Sequence, residues 1–64
     1  MNSYSSWEVI KALEADGWYK VNQVGSHVQF KHNTKNGKVT VNHPVKSMNV
    51  KTLQSIERQS GLIF

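Results

Sequence analysis

The segment Gly25-Ser26-His27-Val28-Gln29-Phe30-Lys31 holds the residue types in this chain that could do chemistry. Apolar and polar residues alternate along it. A β-strand over residues 27–32 therefore puts Val28 and Phe30 on one face and His27, Gln29 and Lys31 on the other. A polar turn ending in Asn36-Gly37 and a second alternating run, 38–42, bring Lys38 and Thr40 across from them. An imidazole among amides, hydroxyls and cations, with no carboxylate beside it, suits work on a phosphodiester. Gly25 allows a backbone or ligand to come close, and the Ser26 hydroxyl can donate or accept a hydrogen bond. Lys31, Lys38 or Lys46, with backbone N–H groups near Gly25, could hold charge that develops on the phosphoryl oxygens. Taken alone, the same pattern also describes an ordinary exposed histidine on a sheet.

Other chemistries find less support. The carboxylates Glu8, Glu14, Asp16 and Glu57 are widely spaced, whereas metal-assisted phosphoryl transfer gathers acidic residues around its ions. Nothing in the sequence sets one of these acids against a histidine, as a nucleophile triad would need. His27, His32 and His43 match no zinc-ligand spacing, and the chain has no cysteine, so no metal and no cofactor is expected. RNA makes a metal-free route feasible, because its 2′-hydroxyl can attack the neighbouring phosphate once a base removes the proton. An imidazole, with an ordinary pKa of about 6.5, suits that task near neutrality. General acid–base help of this kind contributes roughly 10²- to 10⁴-fold.

The elements that must position these groups are legible in outline. Ser5-Ser6-Trp7-Glu8 fits a capping box, and Trp7, Val9, Ile10 and Leu13 give the following helix an apolar side. Asp16-Gly17 ends it. Residues 18–21 read as a first strand, joined by a turn-like link at 22–25 to the strand bearing His27. After the strand at 38–42, His43-Pro44 breaks the pattern. Asn49 then caps a second helix, with Val50, Leu53 and Ile56 on its buried side and Lys51, Ser55 and Arg58 on a polar, basic stripe. Arg58 reads there as a solvated charge. Gly61 closes the helix, and 62–64 form an apolar tail that packs back on the core. The expected fold is α+β, ordered α-β-β-β-α: a three-stranded antiparallel sheet with two helices on one face and the other face in water.

Sixty-four residues are expected to form a single domain, 1–64, with a thin core. Lacking disulfides, such a domain gains from a protein partner. The absence of cysteine, of a secretion signal and of a long apolar run fits a soluble, cytoplasmic chain with no membrane partner. Eight Lys and Arg against four Asp and Glu give a net charge of +4, which attracts polyanions or simply keeps a small protein in solution.

Along nearly its whole length the chain resembles the HicA (YcfA-like) messenger-RNA interferase toxins. The resemblance is carried by Ser-x-x-Glu-Val-Ile-Lys-x-Leu at 5–13, Asp16-Gly17-Trp18, the Gly-Ser-His-Val-Gln-Phe segment at 25–30, Gly-Lys-Val-Thr-Val at 37–41 and the run 53–62. It implies a fold similar to the double-stranded RNA-binding domain. It further implies ribosome-independent cleavage of mRNA with the histidine of Gly-Ser-His, here His27, essential, and a HicB-type antitoxin that covers the site. This chain departs from the family pattern at Asn42-His43-Pro44 and at Lys51, both outside the Gly-Ser-His motif. Two other readings remain: a non-catalytic RNA-binding domain of the same fold, and a protein-interaction module with the open sheet as docking surface.

Overall fold

The computed structural model describes residues 4–64. Its elements run α1 (Ser6–Ala15), β1 (Trp18–Val24), β2 (His27–His32), β3 (Val39–Asn42) and α2 (Val50–Ser60), with the strands in sheet order β1-β2-β3, all antiparallel. This is the expected α-β-β-β-α architecture. The core is one layer deep: Val28, Phe30, Val39 and Val41 on the sheet meet Val9 and Leu13 of α1 and Leu53 and Ile56 of α2, with Trp18 and Met48 at the margins. All ten side chains are buried, and the four sheet residues share one pleat face. The opposite face is left uncovered.

Each helix starts the same way. Ser5 caps α1, accepting the Glu8 N–H at 3.2 Å, while the Glu8 carboxylate accepts the Ser5 N–H at 2.9 Å. Asn49 caps α2, its side chain accepting the Thr52 N–H at 2.8 Å. Just before each cap stands an apolar residue, Tyr4 or Met48, that packs into the same core as the helix's fourth residue, Val9 or Leu53. These staples fix how the chain enters each helix. A Met48 N–H to Tyr4 C=O bond of 2.8 Å ties the two helix N-termini together. At the far end Gly61, at φ +76°, ends α2, and its N–H donates to the Glu57 carbonyl at 2.8 Å.

Several details differ from the reading of the sequence. β1 runs on to Val24, three residues beyond the expected end at 21, with an irregularity in pairing between Lys20 and Asn22 that absorbs one residue. That bulge breaks the alternation that would have announced a longer strand. The link to β2 is consequently a two-residue turn, Gly25-Ser26, rather than a loop from 22 to 25. The inward stripe of α1 is Ser6, Val9 and Leu13, which leaves Trp7 54% exposed. Val50 is exposed, and Met48 takes the core place expected of it. In the tail, Leu62 and Phe64 pack against the core, with the Phe64 ring edge-on to Tyr4 at 5.5 Å, but Ile63 is 92% exposed. Lys38 precedes β3 rather than opening it. Among the described residues no helix is long and apolar enough to cross a membrane.

Candidate active site on the uncovered sheet face

The Gly25-Ser26 turn sets where His27 points. Gly25 has φ +58°, while no other residue type among those described has positive φ. A glycine with positive φ followed by a residue with negative φ is the signature of a type II′ hairpin turn, whose twist matches that of the strands it joins. A Cβ at Gly25 would meet nothing within 4 Å, so the requirement for glycine is conformational, and the space beside the turn is open. A side-chain chain braces this turn: Lys20 Nζ donates to Gln23 Oε1 at 2.7 Å, and Gln23 Nε2 to the Gly25 carbonyl at 3.0 Å.

The turn delivers His27 at the first position of β2, exposed, on the face away from both helices. Val24 lies directly across from it on β1 and Asn42 on β3. One step along, Asn22, Gln29 and Thr40 form a second row; beyond that Tyr19 pairs with Lys31. Opposed residues in an antiparallel sheet share a face. The open surface therefore reads as an imidazole flanked by a valine and an amide, then two amides and a hydroxyl, then a phenol and an ammonium. None of its members is a carboxylate.

Of the expected site residues, the structure brings His27, Gln29 and Lys31 onto this one face and places Gly25 and Ser26 in the turn at its end. The Ser26 carbonyl accepts the His43 N–H at 2.7 Å, which continues the β2–β3 ladder past its last pair. Lys38 is exposed, immediately before β3 and outside the ladder. Lys46 is exposed in the loop between β3 and α2, away from the rows just described. Reasoning from the sequence missed Val24, Asn22 and Asn42. The signal that could have found them is the glycine–serine dipeptide itself, which fixes a two-residue hairpin and hence the pairing of Val24 with His27.

The three histidines divide sharply by their surroundings. His32 Nε2 donates to the Asp16 carbonyl at 2.6 Å, and its Nδ1 accepts the backbone N–H groups of Thr34 and Lys35, both at 3.1 Å. Its ring lies edge-on to Trp18 at 5.2 Å. His43 Nδ1 lies 2.6 Å from Ser6 Oγ, and its ring is 4.9 Å from Trp7. Ser6 Oγ also accepts the Val45 N–H at 2.8 Å, so one hydroxyl joins the start of α1 to both His43 and Val45. Both of these rings are structural. The His27 ring alone has no hydrogen-bond partner among the described residues. Those residues also contain no group of three His, Asp or Glu side chains gathered as metal ligands would be.

The chain is thus a small basic α+β domain with two helices on one sheet face and an exposed imidazole on the other. Residues 7–62 match the family described as the HicA toxin of bacterial toxin–antitoxin systems, and the chain belongs to that family. A toxin of such a system has an antitoxin as its partner. No curated protein matches the chain.

Proposed function

We propose that this toxin is a metal-independent endoribonuclease that cleaves mRNA in the cytoplasm, with His27 as general base and then general acid. The observation that carries the reading is the His27 ring itself: exposed, without a hydrogen-bond partner among the described residues, and on the sheet face that the helices do not cover. Attack by a ribose 2′-hydroxyl on the adjacent phosphate requires only a positioned base, an in-line geometry and groups that tolerate the growing negative charge. His27 takes the hydroxyl proton, the 2′-oxygen forms its bond to phosphorus, and the 5′-oxygen leaves and takes up a proton. The product ends are a 2′,3′-cyclic phosphate and a 5′-hydroxyl.

Lys31 on the same face, the Ser26 hydroxyl and the amide of Gln29 are the groups that hold the strand, with Gly25 leaving room beside the turn. Lys38 and Lys46 contribute to the wider basic surface that attracts the polymer, a role that weakens as salt is raised. DNA, lacking the 2′-hydroxyl, survives. A HicB-type antitoxin silences the toxin by covering this face.

The test is expression of the wild-type and His27→Ala chains. The wild type arrests growth and fragments transcripts, and His27→Ala is harmless yet folded and still bound by antitoxin. Fragmentation by His27→Ala at the wild-type rate removes His27 from the mechanism. Cleavage in EDTA persists; its complete loss would overturn the metal-free route.

A further inference from the structure

A pocket of about 190 Å³ opens beside the catalytic face, lined by Asn42, Val45, Ser47, Met48, Asn49 and Thr52. It is too small for a drug-sized ligand, which needs about 300 Å³ or more, and far larger than a single water, whose share of liquid is about 30 Å³. Its composition is specific. Val45 and Met48 are the apolar members of the lining, Asn42, Ser47, Asn49 and Thr52 are amides and hydroxyls, and none of the six is charged. With no charged side chain in its lining, the pocket offers a phosphate no ion pair. It suits a flat, neutral, heteroaromatic group that lies against the apolar side chains and exchanges hydrogen bonds at its edge.

Asn42 connects this pocket to the chemistry. It lines the pocket and is also the residue paired with His27 across β2 and β3. Because the His43 N–H bonds the Ser26 carbonyl, the next pair, His27 with Asn42, is a non-hydrogen-bonded one. Side chains approach closest at such pairs, with Cβ atoms roughly 4.5–5.5 Å apart. Lys46 and Lys51, exposed next to lining residues in sequence, supply positive charge outside the neutral rim. A polyanion whose charges run past the rim and whose neutral rings point sideways is a single-stranded nucleic acid.

We propose that this pocket takes the nucleobase of the RNA nucleotide next to the bond that His27 opens, and so sets which base stands beside the cut. The inference rests on the ribonuclease reading, yet it can be tested apart from it. The protein for the test is the full His27→Ala chain, titrated with each of the four nucleoside 3′-monophosphates and followed by amide NMR. One base shifts the signals of Asn42, Ser47, Asn49 and Thr52 and binds about tenfold tighter than the least favoured, the span of one to two hydrogen bonds. Adding Thr52→Val or Asn42→Ala to that chain removes the preference, and an unchanged amide spectrum elsewhere shows that the fold survives. Four nucleotides binding alike, or shifts confined to the row around Lys31, overturn the proposal.

A second arm maps cut sites in a mixed-sequence RNA with the active chain. The same base stands at a fixed offset from the cut, and Thr52→Val broadens the choice. Base-selective binding without any cleavage by the wild type would sink the ribonuclease reading and leave the pocket. Cleavage indifferent to base, with unselective binding, would sink the pocket and leave the ribonuclease.

Discussion

His27 and His32 stand at opposite ends of β2 and on opposite faces of it. Around His32 the molecule is fastened. Its ring bridges the end of α1 to the β2–β3 loop, and Lys35 from that loop reaches the Asp16 carboxylate at 2.6 Å and the Ser60 carbonyl, at the end of α2, at 3.0 Å. Trp18 Nε1 donates to the same carboxylate at 3.2 Å. Both helix C-termini, the electronegative ends of their dipoles, thus converge on one ammonium group. Near His27 the fastening among the described residues is the backbone ladder, the brace from Lys20 through Gln23, and His43, which bonds the Ser26 carbonyl and is itself held by Ser6; none of it touches the His27 ring. One strand carries an imidazole bound at both nitrogens and, among the described residues, an imidazole bound at neither. The ring at one end of β2 is fixed by its neighbours, and the ring at the other end is exposed and free of them among the described residues.

Exchanging the two histidines for alanine gives the widest separation. His27→Ala lowers RNA cleavage by about 10²- to 10⁴-fold and, as a surface change, shifts stability by no more than about 0.5 kcal/mol. His32→Ala does the reverse. It strips the Asp16 carbonyl and two backbone N–H groups of their partner, at a cost on the order of 2–3 kcal/mol, each kcal/mol being worth roughly 4–8 °C in a domain this small. Its cleavage at a temperature where it is folded stays near wild type. Thermal melts and transcript cleavage on both variants decide the matter. A large loss of stability in His27→Ala, or of activity in folded His32→Ala, breaks the division.

Two glycines sharpen the same contrast. Gly17 has φ +103°, and a Cβ there would lie 2.8 Å from His32 Nε2, on the atom that holds the Asp16 carbonyl. Gly17→Ala therefore combines backbone strain with displacement of the fastening, and it lowers stability by about 2–3 kcal/mol. At Gly25 a Cβ meets open space, so Gly25→Ala carries backbone strain alone, about 1–2 kcal/mol. Denaturant midpoints measure the difference. The Gly25 variant loses more activity than the Gly17 variant when both are folded, because the turn at Gly25 aims His27. Equal destabilisation by the two would mean that His32 gives way at little cost.

What the sequence disclosed follows from how local each signal is. The capping box of Ser5 and Glu8, the asparagine cap at 49, the alternation through Val28 and Phe30, and the glycine stops at 17 and 61 each act within a few residues, and each appears as read. By alternation alone, His27 belonged on the uncovered face. The length of β1 was hidden, since the bulge near Val21 puts two polar residues, Asn22 and Gln23, in succession. Ser6 and Ser60 look like surface residues and are buried, because their hydroxyls serve the Val45 N–H and the Ile56 carbonyl. The pairing of Asn42 with His27 and the grip of Lys35 on two helix ends join residues distant in sequence. No short-range pattern contains them.

The smallest expected effect isolates the charge at the fastened end. The Lys35 ammonium, hydrogen-bonded to the Asp16 carboxylate, holds the pKa of that acid below its ordinary value of 3.8. A carboxyl whose folded pKa is depressed stabilises the fold above its unfolded pKa, and that stabilisation is lost as pH falls through the folded value. Between pH 7 and about 5 the contribution of the pair is therefore constant, and it declines below about 4. The carboxylate is still partly open to water, so the decline is modest and shrinks further in high salt. Asp16→Asn flattens this part of the curve of melting temperature against pH, and Lys35→Met flattens it similarly. At neutral pH neither change alters RNA cleavage, because the pair lies at the end of β2 away from His27. Parallel melting curves for wild type and Asp16→Asn between pH 5 and pH 2 would show that the two helix ends are held by His32 and packing alone.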